Sequence, residues 1–140
     1  MRVAILRAPG IYAAERLPVE RLRAGSPALR SEEDVHTNHI HAADLARACC
    51  LALARGRANR VYNVVDDTDL PMGDFLDAVA DALSLPRPPR VGRREAEQIL
   101  TPIQMSFLRE SRRIDNRRVK DELGLRLAFP TVATLLRSLA

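Results

Sequence analysis

The sequence predicts an α/β protein with few parallel strands and flanking helices. Three observations carry that prediction. Two short apolar runs, residues 3–6 and the "RVYNVV" stretch of residues 60–65, are too short for helices and suit parallel strands covered on both faces. Strongly helical segments lie between and after them, the order expected of a parallel α/β layer. Two or three strands make a poor sheet, however, and few helices are at hand to cover it. The pattern therefore predicts one part of a larger sheet, and the 140 residues are expected to form a single, partial domain.

Taken in order, the "VAIL" strand is ended by Pro9-Gly10. "ERLPVERLRAG" predicts a short helix stopping at Gly25, and "SPALRSEED" a polar turn region. "VHTNHIH" alternates as a strand, with His39 and His41 on one face and His36 on the other. The next segment, residues 42–55, is the best helix, since Leu45, Ala48, Cys49, Ala52 and Leu53 recur on one face. Gly56 stands at its C-terminal cap. After the "RVYNVV" strand, "MGDFLDAVADALSL" places Phe75, Leu76, Val79, Ala82 and Leu83 on one helical face. "LPRPPR" is a rigid, extended connector. "RREAEQILTPIQMSFLRESRR" reads as helical with a break or restart at Pro102. "DNRRVKDELG" starts a helix at a capping Asp115 or Asn116 and stops it at Gly124, and "PTVATLLRSL" is a final helix.

Composition narrows the function classes. No run approaches the ~18 apolar residues of a membrane span, and the N-terminal "MRVAILRAPGIY" reads as a strand without a cleavage site. Adjacent Cys49 and Cys50 have no metal-ligand spacing and are expected to be small core residues in a reducing compartment, which makes cytoplasm the default location. The net charge of +4 is uneven: residues 87–120 hold ten basic and four acidic residues, leaving twelve and fourteen elsewhere. That asymmetry admits an anionic partner.

All three histidines and Asp44 fall within residues 36–44, which raises the question of a metal or catalytic cluster. A strand cannot converge His36, His39 and His41 without a bend, so no metal site is predicted. Asp44, in the first turn of a helix, is favoured there by the helix dipole alone. No Gly-x-Ser-x-Gly elbow occurs and no serine closely flanks the histidines, which argues against hydrolase chemistry.

The stretches "VAILRAPGIY", "TNHIHAADLARA", "GRANRVYNVVDD" and "SRRIDNRRVKDELGLRLAFPT" resemble, in order and spacing, the C-terminal half of the extended short-chain dehydrogenase/reductase family, the NAD-dependent epimerases and dehydratases and their atypical relatives. The resemblance implies the substrate-binding part of a Rossmann-like protein whose nucleotide-binding half is missing here. It implies NAD or NADP in the intact family, none bound by this chain alone, and a sugar nucleotide or similar hydroxylated substrate. The loop Pro9, Gly10, Ile11 and Tyr12 would border the cofactor; His39, His41 and Arg112 or Arg113 would line the substrate cleft. This sequence departs from the family in having Ala13-Ala14-Glu15 after the tyrosine, where a Gly-Pro pair is usual.

Two larger departures concern catalysis. The family cradles pyrophosphate on a glycine-rich strand–helix turn, but the six glycines, at 10, 25, 56, 73, 92 and 124, never cluster. The family's acid/base is a tyrosine with a lysine four residues on, whereas Tyr12 is followed at that offset by Arg16 and Tyr62 by Asp66. The chain is expected to be incompetent in hydride transfer alone. Its expected partners are a separate nucleotide-binding half or further copies of itself, meeting the uncovered strand edge.

An alternative from another class is a non-catalytic anion- or nucleic-acid-binding module using residues 109–120. This segment carries six basic and two acidic residues, and a continuous helix would align Arg109, Arg113, Arg117 and Lys120. A cap at Asp115-Asn116 would break that stripe, and no aromatic platform supports nucleic acid.

Overall fold

A computed structural model describes residues 1–140. The chain begins with β1 (Ala4–Arg7), β2 (Gly10–Tyr12), α1 (Val19–Arg23), β3 (Ala28–Leu29), β4 (His36–Thr37) and β5 (His39–His41). It continues with α2 (Ala42–Arg55), β6 (Arg60–Asn63), β7 (Leu70–Pro71), α3 (Met72–Ala82) and β8 (Arg90–Val91). The last helices are α4 (Arg93–Ile99), α5 (Pro102–Phe107), α6 (Arg117–Leu123) and α7 (Val132–Leu139). These elements fall into two compact units. One is made of Met1–Arg16, Asn38–Thr68 and Ile114–Leu135; the other of Leu17–Thr37, Asp69–Arg113 and Leu136–Ala140.

The first unit holds two parallel strand pairs. β1 runs beside β6, in register from Ala4 opposite Arg60 to Arg7 opposite Asn63. β2 runs beside β5, with Gly10 opposite His39 and Tyr12 opposite His41. The core gathers Ile40, Ala48, Tyr62, Val64, Val119, Leu123 and Leu125, with Ala4 and Leu6 of β1 packed against it. α6 ends as predicted at Gly124, which takes the left-handed conformation at φ 70°.

Three expectations are corrected here. β1 is not covered on both faces: Ala4 and Leu6 are half-buried, but Ile5 is 49% exposed. This chain supplies cover only on the side where Ala4 and Leu6 meet the core. Cys49 and Cys50 are exposed rather than core residues. The buried line of α2 runs through Asp44 and Ala48, which turns position 49 off the packed face and leaves Leu53 exposed. Residues 10–12, expected to be part of a loop, form β2.

The second unit pairs β3 in parallel with β8 and β4 antiparallel with β7. Its core comprises Leu29, Val35, Val91, Ala96, Leu100, Met105 and Leu108. Arg90 ties it together: the guanidinium reaches Asp34, Asp74 and Asp77 and donates to the Leu29 carbonyl. α5 starts at Pro102 after a capping box of Thr101 and Gln104, so the predicted break is a restart. The helix predicted to run on through residues 109–113 stops at Phe107. The predicted "VHTNHIH" strand is two strands. β4 and β5 join different partners on either side of Asn38, where the chain passes from one unit to the other.

Candidate functional site

The first unit carries a buried polar cluster at the C-terminal ends of β2 and β5. Parallel register sets Tyr12 opposite His41, and the two-residue strand period keeps His39 on the same side as His41. The Tyr12 ring lies edge-on to both imidazoles, with centroids 6.2 Å from His39 and 5.3 Å from His41. Tyr12 Oη donates to Asp66 Oδ2 at 2.8 Å. The Asp66 backbone N–H in turn donates to the His39 carbonyl at 2.7 Å, fastening the segment after β6 onto β5. Gly10 opens β2 because a side chain there would press on the Asn38 carbonyl at 3.2 Å and on the His39 ring.

Each member has its proton affinity moved by burial. Desolvation, then the bond to Asp66, pushes the Tyr12 phenol far above its ordinary value. Burial raises Asp66 as well, against the hydrogen bonds that stabilise its charge. His39, 6% exposed, is pushed down to about 4, so it is a neutral imidazole at pH 7. His41 is also lowered by burial, although the Asp44 and Glu15 charges act the other way. A phenol held this firmly protonated donates a hydrogen bond but does not exchange its proton near neutrality. The sole lysine is paired elsewhere, with Lys120 Nζ donating to Asp67 Oδ1 at 2.6 Å.

His41 has a local duty. Its Nδ1 accepts from the Ala43 N–H at 3.1 Å, capping α2, and its ring stacks on Phe129 at 3.7 Å. Asp44 is wholly buried beneath it. Its carboxylate accepts from Arg47 Nη1 at 3.1 Å and from the backbone N–H groups of Ala128 and Phe129, both at 2.9 Å. This aspartate pins the segment after α6 to the start of α2, a structural task beyond the predicted dipole effect. No group of three His, Cys, Asp or Glu side chains converges in a way that could hold a metal.

The predicted site residues divide between the units. Pro9, Gly10, Ile11, Tyr12, His39 and His41 belong to the first; Arg112, Arg113 and His36 belong to the second. Arg113 Nε meets Asp69 Oδ1 at 3.0 Å, and its guanidinium lies 2.9 Å from His36 Nε2. Arg112 pairs with Glu110. Of the six basic residues in 109–120, four have carboxylate partners: Arg112, Arg113, Arg117 with Asp115, and Lys120 with Asp67. A fifth, Arg118, donates to the Val61 carbonyl. The stripe of four does not form, because α6 begins only at Arg117. Sequence reasoning missed Asp66 and Phe129 as members of the cluster. Both act across long sequence separations, and although each lies in a stretch that carries the resemblance, nothing local marks its side chain as a partner of Tyr12 or His41.

No protein-family model matches the chain, and no curated protein does so. Solved structures do match. A conserved protein of unknown function from Silicibacter pomeroyi is 32% identical, with a TM-score of 0.82, over 97% of this chain and 47% of that one. A human epimerase family protein solved with NADPH is 19% identical, with a TM-score of 0.78, over 100% and 48%. A nucleoside-diphosphate-sugar epimerase from Pseudomonas aeruginosa is 23% identical, with a TM-score of 0.75, over 98% and 46%. The chain therefore spans about half the length of the structures it matches. In fold, it is an α/β protein similar over nearly its whole length to about half of an epimerase-family chain.

Proposed function

We propose that this chain is the C-terminal, substrate-side portion of an NAD(P)-dependent sugar-nucleotide epimerase, dehydratase or reductase-like protein of the cytoplasm, and that it does not catalyse the reaction alone. The observation that carries this reading is the likeness to epimerase-family chains over nearly all of this one and about half of theirs. It is supported by the chemistry at hand. Tyr12 is locked as a phenol against Asp66, Lys120 is engaged elsewhere, and no glycine-rich turn is available for a pyrophosphate. In this reading Pro9, Gly10, Ile11 and Tyr12 border the nicotinamide, His39 and His41 form the wall behind them, and Arg112 and Arg113 are the phosphate-binding candidates. A planar guanidinium suits phosphate because it can donate two parallel hydrogen bonds.

Calorimetric titration tests the reading. UDP-glucose or dTDP-glucose is expected to bind weakly, with Kd on the order of 1 mM, and to lose that binding in the double variant R112A/R113A. NADH is expected to show no saturable binding. Absence of nucleotide-sugar binding, or NADH affinity tighter than about 10 μM, would contradict the proposal.

A further inference from the structure

One oxygen in the second unit, Asp69 Oδ1, faces two partners at once. Arg113 Nε lies 3.0 Å from it and His36 Nε2 3.5 Å. The Arg113 guanidinium also lies 2.9 Å from that imidazole nitrogen. A guanidinium has only donors, so His36 Nε2 accepts from it and the ring carries its proton on Nδ1. Strand pairing builds this arrangement. β4 runs antiparallel to β7 with Thr37 opposite Leu70, which sets Asp69, the residue before β7, close to the end of β4. Residues 111–113 are tied to β4 in turn. The His36 N–H donates to Ser111 Oγ at 3.0 Å, and the Arg112 N–H to the His36 carbonyl at 3.5 Å. The side chains of Arg113 and Asp69 are mostly exposed, whereas His36 is the more buried member.

We infer that Asp69 is a tethered stand-in for a ligand phosphate, holding the Arg113 guanidinium until a diphosphate displaces it, and that His36 is the positioning residue that keeps the guanidinium in place throughout. The inference rests on the proposed function for the role of Arg113 and adds Asp69 and His36 to that site. An exposed ion pair contributes little free energy, so a ligand can displace Asp69 at small cost. A phosphate repays that cost, because a guanidinium can grip it through two parallel hydrogen bonds. While Asp69 stays beside Arg113, its charge also repels an approaching anion. The nearby carboxylate, which would otherwise count against Arg113 as a phosphate ligand, thereby sets how tightly the ligand is held.

The test is calorimetric titration of the full 140-residue chain with inorganic pyrophosphate at constant ionic strength. D69N is expected to bind roughly three- to tenfold more tightly than wild type, with its thermal midpoint little changed. The variant D121N removes the same charge from an exposed site on α6 and is expected to leave the affinity within about twofold of wild type. The double variant D69N/R113A is expected to show no gain. H36A is expected to weaken binding roughly threefold, and H36Q, whose carbonyl can accept from the guanidinium, to restore it. D69N binding no more tightly than D121N would overturn the inference, as would a gain that survives in D69N/R113A. Loss of binding in R112A/R113A beside an unchanged D69N would overturn this inference alone and leave the substrate reading standing. Full binding in R112A/R113A would overturn both.

Discussion

Replacing Asp44 by alanine separates a structural aspartate from a catalytic one. The carboxylate is fully buried and accepts three hydrogen bonds: from the half-exposed Arg47, and from the backbone N–H groups of Ala128 and Phe129. The Arg47 bond contributes at most about 1 kcal/mol, because one partner is solvated. The two backbone donors matter more. Left unsatisfied, each costs about 1–3 kcal/mol, so D44A is expected to lose about 3–5 kcal/mol. For a chain of this size, that loss lowers the thermal midpoint by roughly 10–20 °C. The amides of Ala128 and Phe129 should also exchange faster with deuterium. Urea denaturation of D44A and R47A checks the apportionment, with R47A expected within about 1 kcal/mol of wild type. A D44A protein as stable as wild type, within about 0.5 kcal/mol, would refute the argument, because the backbone donors would then have found water.

Two further predictions concern conformation and pH. Gly124→Ala forces a Cβ onto a residue at φ 70°, and is expected to cost about 1–2 kcal/mol in denaturant midpoint analysis. His39 is expected to titrate by NMR near pH 4, and a midpoint near its ordinary 6.5 would show that the ring is hydrated. Because its folded value is depressed, the unfolded chain takes up that proton first. Stability therefore falls as pH drops from about 6.5 to about 4, by up to about 3 kcal/mol. Asp66, whose carboxyl is raised, contributes in the opposite sense, with stability lost as pH rises through its folded value, so the comparison is made against His39→Asn.

Local signals were legible where the local rule was also the rule that decided. Residues 42–55 and the cap at Gly124 needed only helical period and a positive-φ residue, and both are found. A parallel component was legible in the two apolar runs; that the strands they form, β1 and β6, are direct neighbours is a finding of the structure. Burial was less legible. Periodicity marked a helical stripe of Leu45, Ala48, Cys49, Ala52 and Leu53; Ala48 is buried and Leu45 and Ala52 pack against the core, but Cys49 and Leu53 lie off the packed face and are exposed. No period can tell which flank of a stripe meets the core when the helix is rich in alanine. The cluster around Tyr12 was half legible. The strand alternation placed His39 and His41 together, yet the hydrogen bond that fixes Tyr12 is donated to Asp66, 54 residues away. Arg112 and Arg113, chosen on the resemblance, already have carboxylates beside them.

Each unit is stitched from three separate stretches of the chain, and the thread changes sides five times along its length. No single cut yields an intact unit, so limited proteolysis or truncation should destroy both rather than liberate either. Ribosomal synthesis meets the same obstacle: the first unit waits for residues 114–135 before its core closes. Such long-range closure slows folding and prolongs exposure of sticky intermediates. A chaperone-assisted or low-temperature expression regime should therefore raise its soluble yield.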